Sequence, residues 1–224
     1  MQKVFLLFGA GGFLGKYAAE FFLNKNYDEY YFFARTVPKL ANHKKFNFFP
    51  VDDLSIEKNV EAAFDALKPD KNKLYFLYST IGGYYGGTSV AETPYEEWKK
   101  MLDINLNSAF LISKNFMKLA GASSGGSICF TSAYSSLFPE EKKSAYSVSK
   151  SALNFLVKVL SKEGKEKSIS ANAVAPFIID TPENRKWIED ISTMVGTETI
   201  CSEVENLFFN SKTTSGEIIG LPRD

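Results

Sequence analysis

Apolar residues follow two alternating patterns along the chain. Short continuous apolar runs are typical of strands buried on both faces of a parallel sheet, and they alternate with longer segments in which apolar residues recur at helical spacing. The predicted strands lie at 4–8, 30–34, 46–51, 74–78, just before Ser132, at 168–174 and at 218–219. The predicted helices lie at 14–22, at 56–67, from Pro94 onward, at 145–163 and, with interruptions, at 183–210. This alternation predicts one α/β domain with a doubly wound parallel sheet of about seven strands and helices on both faces.

A glycine turn joins the first predicted strand to the first predicted helix. Gly9, Gly12 and Gly15 fall three residues apart between these two elements. Such a turn lets backbone N–H groups and a helix N-terminus meet a pyrophosphate. With the required strand before it and helix after it, the turn predicts that the single domain, residues 1–224, binds a nucleotide. The predicted cofactor contacts in the turn are Gly9, Gly12, Phe13, Leu14 and Gly15.

The end of the second predicted strand bears on which dinucleotide is bound. Enzymes that use the unphosphorylated dinucleotide usually carry an acid about 20 residues beyond the glycine turn. This chain has Ala34-Arg35-Thr36 at that point, and a guanidinium without an acid favours a 2′-phosphate. We therefore expect NADP(H) to be preferred, with NAD(H) as the alternative. The competing interpretation is that Arg35 is merely a solvated residue at a strand end.

The third predicted strand is followed by two acids. Asp53 has the better spacing to the next helix, and its carboxylate could bond the adenine amino group of the cofactor. Alternatively, Asp52 and Asp53 are both ordinary loop acids, and Ser55 caps the helix.

The stretch from Ser132 to Lys150 carries the candidate chemistry. Ser132 follows a short apolar strand, and Tyr146 lies one turn before Lys150 on the next helix. An ammonium one turn away favours the phenolate and brings a phenol, whose ordinary pKa is ~10, closer to the working range of an acid/base. The Ser132 hydroxyl could hold a substrate oxygen beside that phenol. Tyr95 and Lys99 repeat the spacing without a strand-end serine, so we predict a solvated surface pair there.

The fourth predicted strand runs into a glycine-rich loop. Gly82 permits close backbone approach to a ligand, and Tyr84 and Tyr85 either form a stacking wall for substrate or belong to a flexible loop. Asn105 lies in mid-helix, where its amide is not favoured, so it either faces solvent or has a polar role inside. Tyr134, just after the fifth predicted strand, is a further candidate substrate contact.

Composition and charge restrict the possible classes of function. The 26 basic and 26 acidic residues balance, so nothing indicates a nucleic-acid or anionic-membrane surface. No apolar run approaches the ~20 residues of a membrane span, and the first one breaks on glycines. His43 is the only histidine, so we expect neither a histidine-based triad nor a metal site. The two cysteines are interpreted as reduced thiols, and a soluble, cytoplasmic protein is expected.

Taken together, these residues resemble the short-chain dehydrogenase/reductases over essentially the whole chain. The matching features are the glycine turn, Ile81-Gly82, Asn105 within Ile104-Asn105-Leu106, Ser132, Tyr146-x-x-x-Lys150, Asn172 to Pro176, and Thr181. The resemblance implies that residues 1–224 form a single NAD(P)-binding Rossmann domain, and that it transfers hydride between a nicotinamide cofactor and a carbonyl or hydroxyl group. It also implies that Tyr146 donates the proton, that Ser132 holds the substrate oxygen, and that Lys150 bonds the nicotinamide ribose and tunes the phenol. By the same resemblance Asn105 holds a water in the proton relay, and the cofactor contacts also include Ile81, Gly82, Tyr146, Lys150, Pro176 and Thr181.

Two local sequences resemble the dihydropteridine reductases more closely. Gly-Gly-Tyr-Tyr-Gly-Gly at 82–87 is similar to their Gly-Gly-Trp-Ala-Gly-Gly, and residues 180–186 look like their Asp-Thr-Pro-x-Asn-Arg-Lys. This resemblance implies a conjugated imine such as quinonoid dihydropterin as substrate. Independently of it, the interrupted helical pattern predicts that segment 177–210 is a mobile substrate cover. Ser132 and Arg35 depart from that family's pattern.

Two other classes of function use the same fold. A non-catalytic, dinucleotide-sensing protein does not need a proton relay, so the intact set of Asn105, Ser132, Tyr146 and Lys150 argues against it. An epimerase or dehydratase would need a larger substrate region than this chain offers.

Two of the predicted helices indicate self-association. The helices around 102–119 and 145–163 carry more apolar or small surface than one packing face uses, namely Phe110, Ile112, Phe116, Ser151, Phe155 and Val159. The resemblance implies that these helices pair across a two-fold axis. A homodimer or homotetramer is therefore expected.

Overall fold

The computed structural model describes residues 1–40 and 46–221. The single histidine, His43, lies outside the described residues. The strands are β1 Gln2–Phe8, β2 Glu29–Ala34, β3 Asn47–Pro50, β4 Lys73–Ser79, β5 Gly126–Thr131, β6 Ile169–Pro176 and β7 Ile218–Leu221. The α-helices are α1 Phe13–Leu23, α2 Glu57–Asp65, α3 Tyr95–Leu102, α4 Ser108–Gly121, α5 Ser144–Gly164 and α6 Thr197–Phe209. A π-helical segment, Asp103–Asn107, joins α3 to α4.

All seven strands pair in parallel in the order β3-β2-β1-β4-β5-β6-β7, which confirms the predicted doubly wound sheet. The chain leaves β1 in one direction along the sheet and returns to its other side with β4. Ligands bind at such a switch point, outside the carboxyl ends of the strands. Phe8 is paired with Phe33 on one side and Ser79 on the other, so Gly9 and Thr80 leave the sheet side by side.

Helices cover both faces of the sheet because side chains of successive strand residues point to opposite faces. Along β1, Val4, Leu6 and Phe8 pack into the core that contains α2, α4 and α5. Phe5 and Leu7 pack into the core that contains α1 and α6. This two-sided burial explains why the central strands are continuous apolar runs rather than alternating ones.

The helix predicted from Pro94 onward is not one regular helix. Pro94 does precede its first residue, but the chain passes through the π-helical segment before α4 begins. Elsewhere the predicted boundaries shift by a few residues, as for β6, which begins at Ile169 and extends to Pro176.

The segment 183–210 is interrupted as predicted. Short 3₁₀ turns at Asn184–Lys186 and Ile191–Thr193 precede α6. Because α6 buries Ile200 and Val204 against the sheet, we restrict the proposed substrate cover to residues 177–195. Among the described residues, no helix is long and apolar enough to cross a membrane, and no group of three or more His, Cys, Asp or Glu side chains could hold a metal ion.

Candidate active site

The glycine turn after β1 is held by backbone hydrogen bonds and by the Thr80 hydroxyl, which donates to the Gly9 carbonyl oxygen at 3.2 Å. Gly9 has a φ of +90°, which favours glycine, and the Gly12 N–H donates to the Gly9 carbonyl oxygen at 3.1 Å. A Cβ on Gly15 would lie 1.9 Å from that same carbonyl oxygen, so only glycine lets α1 pack this close to the turn. The sequence pattern therefore marks two positions where a side chain is excluded.

The turn fits the pyrophosphate of a nicotinamide dinucleotide. Gly12 stands at the N-cap of α1, and no side chain there bonds the N–H groups of the first turn. Uncapped N–H groups at the start of an 11-residue helix, beside the switch point of the sheet, suit a doubly charged anion. Phe13 is half exposed at this edge, whereas the Leu14 side chain is buried in the core, so Leu14 can face a cofactor only through its backbone.

The two acids that follow β3, Asp52 and Asp53, each bond a neighbouring residue. Arg35 is exposed, and its Nε lies 3.2 Å from Asp52 Oδ1. The Asp53 carboxylate accepts hydrogen bonds from Ser55 N at 2.8 Å and Ser55 Oγ at 2.7 Å, and these bonds lower the pKa of Asp53. Asp53 thus orders the loop before α2, as expected of a loop acid, while Ser55 is a donor to it. Sequence reasoning missed the Arg35–Asp52 pair because it depends on the adjacency of β2 and β3.

Helix α5 carries Tyr146 and Lys150 one turn apart, as predicted. The Lys150 Nζ is buried and donates to the Thr131 carbonyl oxygen at 2.7 Å, at the carboxyl end of β5. Burial lowers the pKa of Lys150 to about 7. A Cβ on Gly82 would lie 2.9 Å from Lys150 Nζ, so the loop after β4 passes directly over that nitrogen, and a side chain at Gly82 would displace it.

Tyr146 lies under the ring of Tyr84. The two ring centroids are 5.0 Å apart at an interplanar angle of 72°, an edge-to-face contact. Burial, and then the neighbouring Tyr84 phenol, raise the pKa of Tyr146 above its ordinary value. The expectation that Lys150 lowers this pKa is wrong for this structure, because burial dominates and Lys150 is itself desolvated.

Ser132 lies at the end of β5, where it was predicted. Its N–H donates to the Val174 carbonyl oxygen at 2.7 Å, and its side chain is buried. Its Oγ donates to Asn154 Oδ1 at 2.6 Å. Asn154 was missed, although its position four residues after Lys150 on the same helix could have identified it.

Asn105 has a polar role inside the protein, one of the two predicted alternatives. Its Oδ1 accepts from Gly83 N at 2.9 Å, and its Nδ2 donates to Gly83 O and to Ser149 Oγ, both at 3.0 Å. Ser149 Oγ in turn donates to the Tyr146 carbonyl oxygen at 2.7 Å. The amide therefore ties the glycine-rich loop to the helix that carries Tyr146.

The remaining candidate substrate residues lie in different surroundings. Tyr84 is 62% exposed, whereas the Tyr85 hydroxyl accepts from Thr88 Oγ1 at 3.3 Å. Tyr134 stacks on Phe138, with ring centroids 4.7 Å apart, and meets Phe177 edge-on at 5.5 Å. Tyr134 therefore belongs to an aromatic cluster with the first residue of the proposed cover. Ile81 packs at the glycine turn, since a Cβ on Gly9 would lie 3.0 Å from Ile81 Cδ1.

The segment that resembles dihydropteridine reductases is a self-contained turn. Asn184 N donates to Thr181 Oγ1 at 3.1 Å, and Asn184 Nδ2 donates to the Ile179 carbonyl oxygen at 2.8 Å. Arg185 forms a two-point ion pair with Asp180, in which Nη2 donates to Oδ2 at 2.7 Å. These internal bonds give the motif a structural role of its own. Pro176, directly before the segment, ends β6 opposite Leu221.

Comparison with known proteins gives a family match over most of the chain. A family model described as enoyl-(acyl carrier protein) reductase matches residues 25–199. The dihydropteridine reductase of Dictyostelium discoideum is 28% identical over 217 residues, 96% of this chain and 90% of that protein. The 2-dehydro-3-deoxy-D-gluconate 5-dehydrogenase of Pseudoalteromonas atlantica is 32% identical over 138 residues, 62% of this chain and 54% of that protein.

Solved structures show the same fold. A short-chain type dehydrogenase/reductase from Mycobacterium ulcerans superposes with a TM-score of 0.88 at 20% identity, covering 99% of this chain and 89% of that one. The NADP-bound structure of ElxO superposes with a TM-score of 0.86 at 22% identity, covering 98% and 97%. The chain therefore belongs to the short-chain dehydrogenase/reductase family and is an oxidoreductase that uses a nicotinamide dinucleotide.

Proposed function

We propose that this protein reduces a conjugated imine in a flat heterocycle, with quinonoid dihydropterin as the first candidate. The observation that carries the proposal is the Tyr84 ring held edge-on to Tyr146 at 5.0 Å, on a glycine-rich loop beside the switch point. An aromatic wall next to a proton donor suits an extended π-system, since ring stacking contributes roughly 0.5 to 1.5 kcal/mol beyond area burial. End-to-end similarity to the Dictyostelium discoideum dihydropteridine reductase supports the same substrate class.

Tyr146 is the proposed proton donor. When bound, reduced nicotinamide supplies a hydride, and the Tyr146 hydroxyl gives its proton to the substrate nitrogen or oxygen that takes up the negative charge. Because its pKa is raised, Tyr146 holds its proton at neutral pH, as a donor must. Lys150, one turn along α5, would hold the nicotinamide ribose, and the phenolate left on Tyr146 regains its proton from water. Asn105 is proposed to keep that water near the loop it anchors.

We also propose that NADPH is the preferred reductant. Arg35 is exposed at the end of β2, and its contact with Asp52 involves Nε. A guanidinium has further N–H donors, so the same side chain can also bond a 2′-phosphate. The NADP bound to the structurally similar ElxO supports this preference.

A second candidate function is reduction of a simple carbonyl. Ser132 favours it, since a serine hydroxyl at a strand end next to the lysine and tyrosine helix can contact a carbonyl oxygen. In either function, residues 177–195 would cover the substrate, with Tyr85 and the aromatic cluster of Tyr134 and Phe177 at its edge.

The test is turnover of quinonoid dihydropterin by the parent, Tyr146→Phe and Tyr95→Phe proteins, with NADPH and NADH. Tyr146→Phe should lower kcat by about 10² to 10⁴-fold and leave NADPH affinity nearly unchanged, because only the hydroxyl that donates the proton is removed. Tyr95→Phe is the matched control, since Tyr95 is exposed on α3 with Lys99 over its ring, and it should retain parental turnover.

Three results would each contradict a part of the proposal. Full turnover by Tyr146→Phe refutes the proton-donor role. A parent that reduces benzaldehyde but not quinonoid dihydropterin favours the carbonyl reductase instead. Equal or tighter binding of NADH than NADPH refutes the cofactor preference.

A further inference from the structure

The glycine-rich loop after β4 is fixed on both sides of Tyr84. On one side, the Gly83 N–H and C=O both bond the Asn105 side chain. On the other side, the Gly87 N–H donates to the Lys142 carbonyl oxygen at 2.8 Å, in the segment that precedes α5. The backbone between these two anchors has little freedom, so the position of the Tyr84 ring depends mainly on rotation of its own side chain.

The end of the Tyr84 side chain lies against Gly86. A Cβ on Gly86 would lie 2.4 Å from the Tyr84 hydroxyl oxygen, 2.9 Å from Tyr84 Cζ and 3.2 Å from the Lys142 carbonyl oxygen. The backbone does not require glycine at this position, because φ of Gly86 lies outside the left-handed region, whereas Gly87 has a φ of +98°. The missing side chain at Gly86 therefore leaves the space that the Tyr84 phenol occupies.

This contact keeps the Tyr84 ring beside the proposed proton donor. The ring lies between Gly86 and the Tyr146 ring, whose centroid is 5.0 Å away. Tyr84 is 62% exposed, so its ring can leave this place by side-chain rotation without opening the core. A methyl group added at Gly86 would displace the ring, because the bond from Gly87 to Lys142 holds the backbone in place.

We propose that Gly86 is a positioning residue whose missing side chain keeps the Tyr84 ring against Tyr146, and that the ring held in this way selects flat conjugated substrates over compact ones. The inference rests on the proposed function, in which Tyr146 protonates the substrate. A substrate that reaches the Tyr146 hydroxyl lies next to the Tyr84 ring, because the two rings are in contact. A planar ring system gains an aromatic contact there, whereas a small aliphatic carbonyl compound does not.

The experiment compares two diketones that react at the same group. Phenanthrenequinone is flat and conjugated, whereas diacetyl has no ring. In both reductions one carbonyl carbon takes the hydride and its oxygen takes the proton, so NADPH becomes NADP⁺ and the diketone becomes an α-hydroxyketone. NADPH oxidation is followed in the absence of oxygen, because oxygen would reoxidise the reduced quinone.

The variants are Gly86→Ala, Tyr84→Ala and the double variant. The matched control is Gly121→Ala, at the end of α4 on the amino-end side of the sheet. A Cβ there also meets the end of a flexible side chain, since it would lie 2.9 Å from Lys167 Cδ. Gly121→Ala should retain parental kinetics with both diketones.

Gly86→Ala should lower the ratio of kcat/KM for phenanthrenequinone to kcat/KM for diacetyl by roughly 2- to 10-fold, the size of one aromatic contact. The loss should come from a higher KM for phenanthrenequinone, while kcat for diacetyl keeps its parental value, because the Tyr146 hydroxyl is retained. Tyr84→Ala should lower the ratio at least as far. In the Tyr84→Ala background, Gly86→Ala should have no further effect on the ratio, since the ring that it displaces is gone.

A general disturbance of the loop predicts instead that Gly86→Ala slows both diketones equally, or that its effect on the ratio persists without Tyr84. Either result overturns the inference, as does an unchanged ratio in Gly86→Ala or a parent protein that reduces neither diketone. Failure of the proposed function is a separate result, namely a protein in which Gly86→Ala lowers the ratio as expected but whose parent does not reduce quinonoid dihydropterin.

Discussion

The residues with candidate chemistry could be located from sequence, but their protonation could not. Spacing alone places Lys150 beside Tyr146 and predicts a lowered phenol pKa. In the structure, the loop at Gly82 and the end of β5 enclose Lys150, and the Nζ bonds the Thr131 carbonyl oxygen. The burial of Lys150 depends on helix α5, the loop at Gly82 and the end of β5, which are distant in sequence. A four-residue spacing on one helix therefore contains no information about it.

Lys150 should make stability depend on pH near neutrality. Its pKa is lowered from 10.5 to about 7 in the folded protein, so between these values the unfolded chain holds a proton that the folded protein has lost. Stability therefore rises as pH increases through this window. Urea unfolding of the parent and Lys150→Met at pH 6.5 and 8.5 should show the parent gaining about 1 to 2 kcal/mol relative to the variant.

The control for this measurement is Lys158→Met, which replaces an exposed lysine on the same helix. Its stability should stay parallel to that of the parent across the pH range. Parallel curves for Lys150→Met as well would show that Lys150 is not desolvated in the folded protein.

At the scale of elements, the order of strands and helices was predictable because each strand of a covered parallel sheet must be apolar on both faces. The π-helical segment between α3 and α4 was not. Its extra residue per turn is accompanied by the bonds of Asn105 to Gly83 and Ser149, which come from two other parts of the chain. Local propensity favours a regular α-helix there, but the tertiary hydrogen bonds of Asn105 stabilise the π-helical turn instead.

Replacement of Asn105 tests how much this segment depends on its amide. Asn105→Leu removes the three hydrogen bonds to Gly83 and Ser149, together with a weak one to Met101 Sδ, and leaves the Gly83 N–H and C=O without these partners, so it should cost about 2 to 4 kcal/mol of unfolding free energy. Asn107→Leu, two residues along the same segment, removes only an exposed bond to Asp103 and should cost less than about 1 kcal/mol. Equal losses in denaturant titrations of the two variants would contradict the anchoring role.

The candidate site shows the same limit on sequence reasoning. Glycine positions could be identified because the turn excludes side chains, as at Gly15. Asn154 and Asp52 could not be assigned partners, because each bonds a residue from a different strand end. Motif spacing thus predicts which side chains share a helix face. Their hydrogen-bond and ion-pair partners depend on the topology of the sheet, which the spacing does not contain.

At the scale of the whole molecule, the outer surfaces of α4 and α5 remain apolar. Phe110 is 52% and Phe155 70% exposed, and Val148 and Val159 on α5 are also exposed. Ile112 and Phe116 are fully buried in the core instead, so the prediction that they contribute to a contact between copies is wrong. Helix periodicity marked both faces of α4 as apolar but could not tell which one meets the sheet. Exposed aromatic side chains on two neighbouring helices are typical of a protein–protein contact.

We predict a homodimer, or a tetramer built from such dimers, through the outer faces of α4 and α5. The double variant Phe110→Glu and Phe155→Glu should dissociate it, because each buried phenylalanine contributes roughly 1.5 to 3 kcal/mol and appears in both halves of a two-fold contact. Light scattering at micromolar concentration should give at least twice the 25.0 kDa chain mass for the parent and the single-chain mass for the variant. Phe209→Glu is the matched control, since Phe209 is 88% exposed on α6 across the sheet, and it should leave the assembly intact. A parent that scatters as a single chain, or a Phe209→Glu protein that dissociates equally, would show that the α4 and α5 surface is not where copies meet.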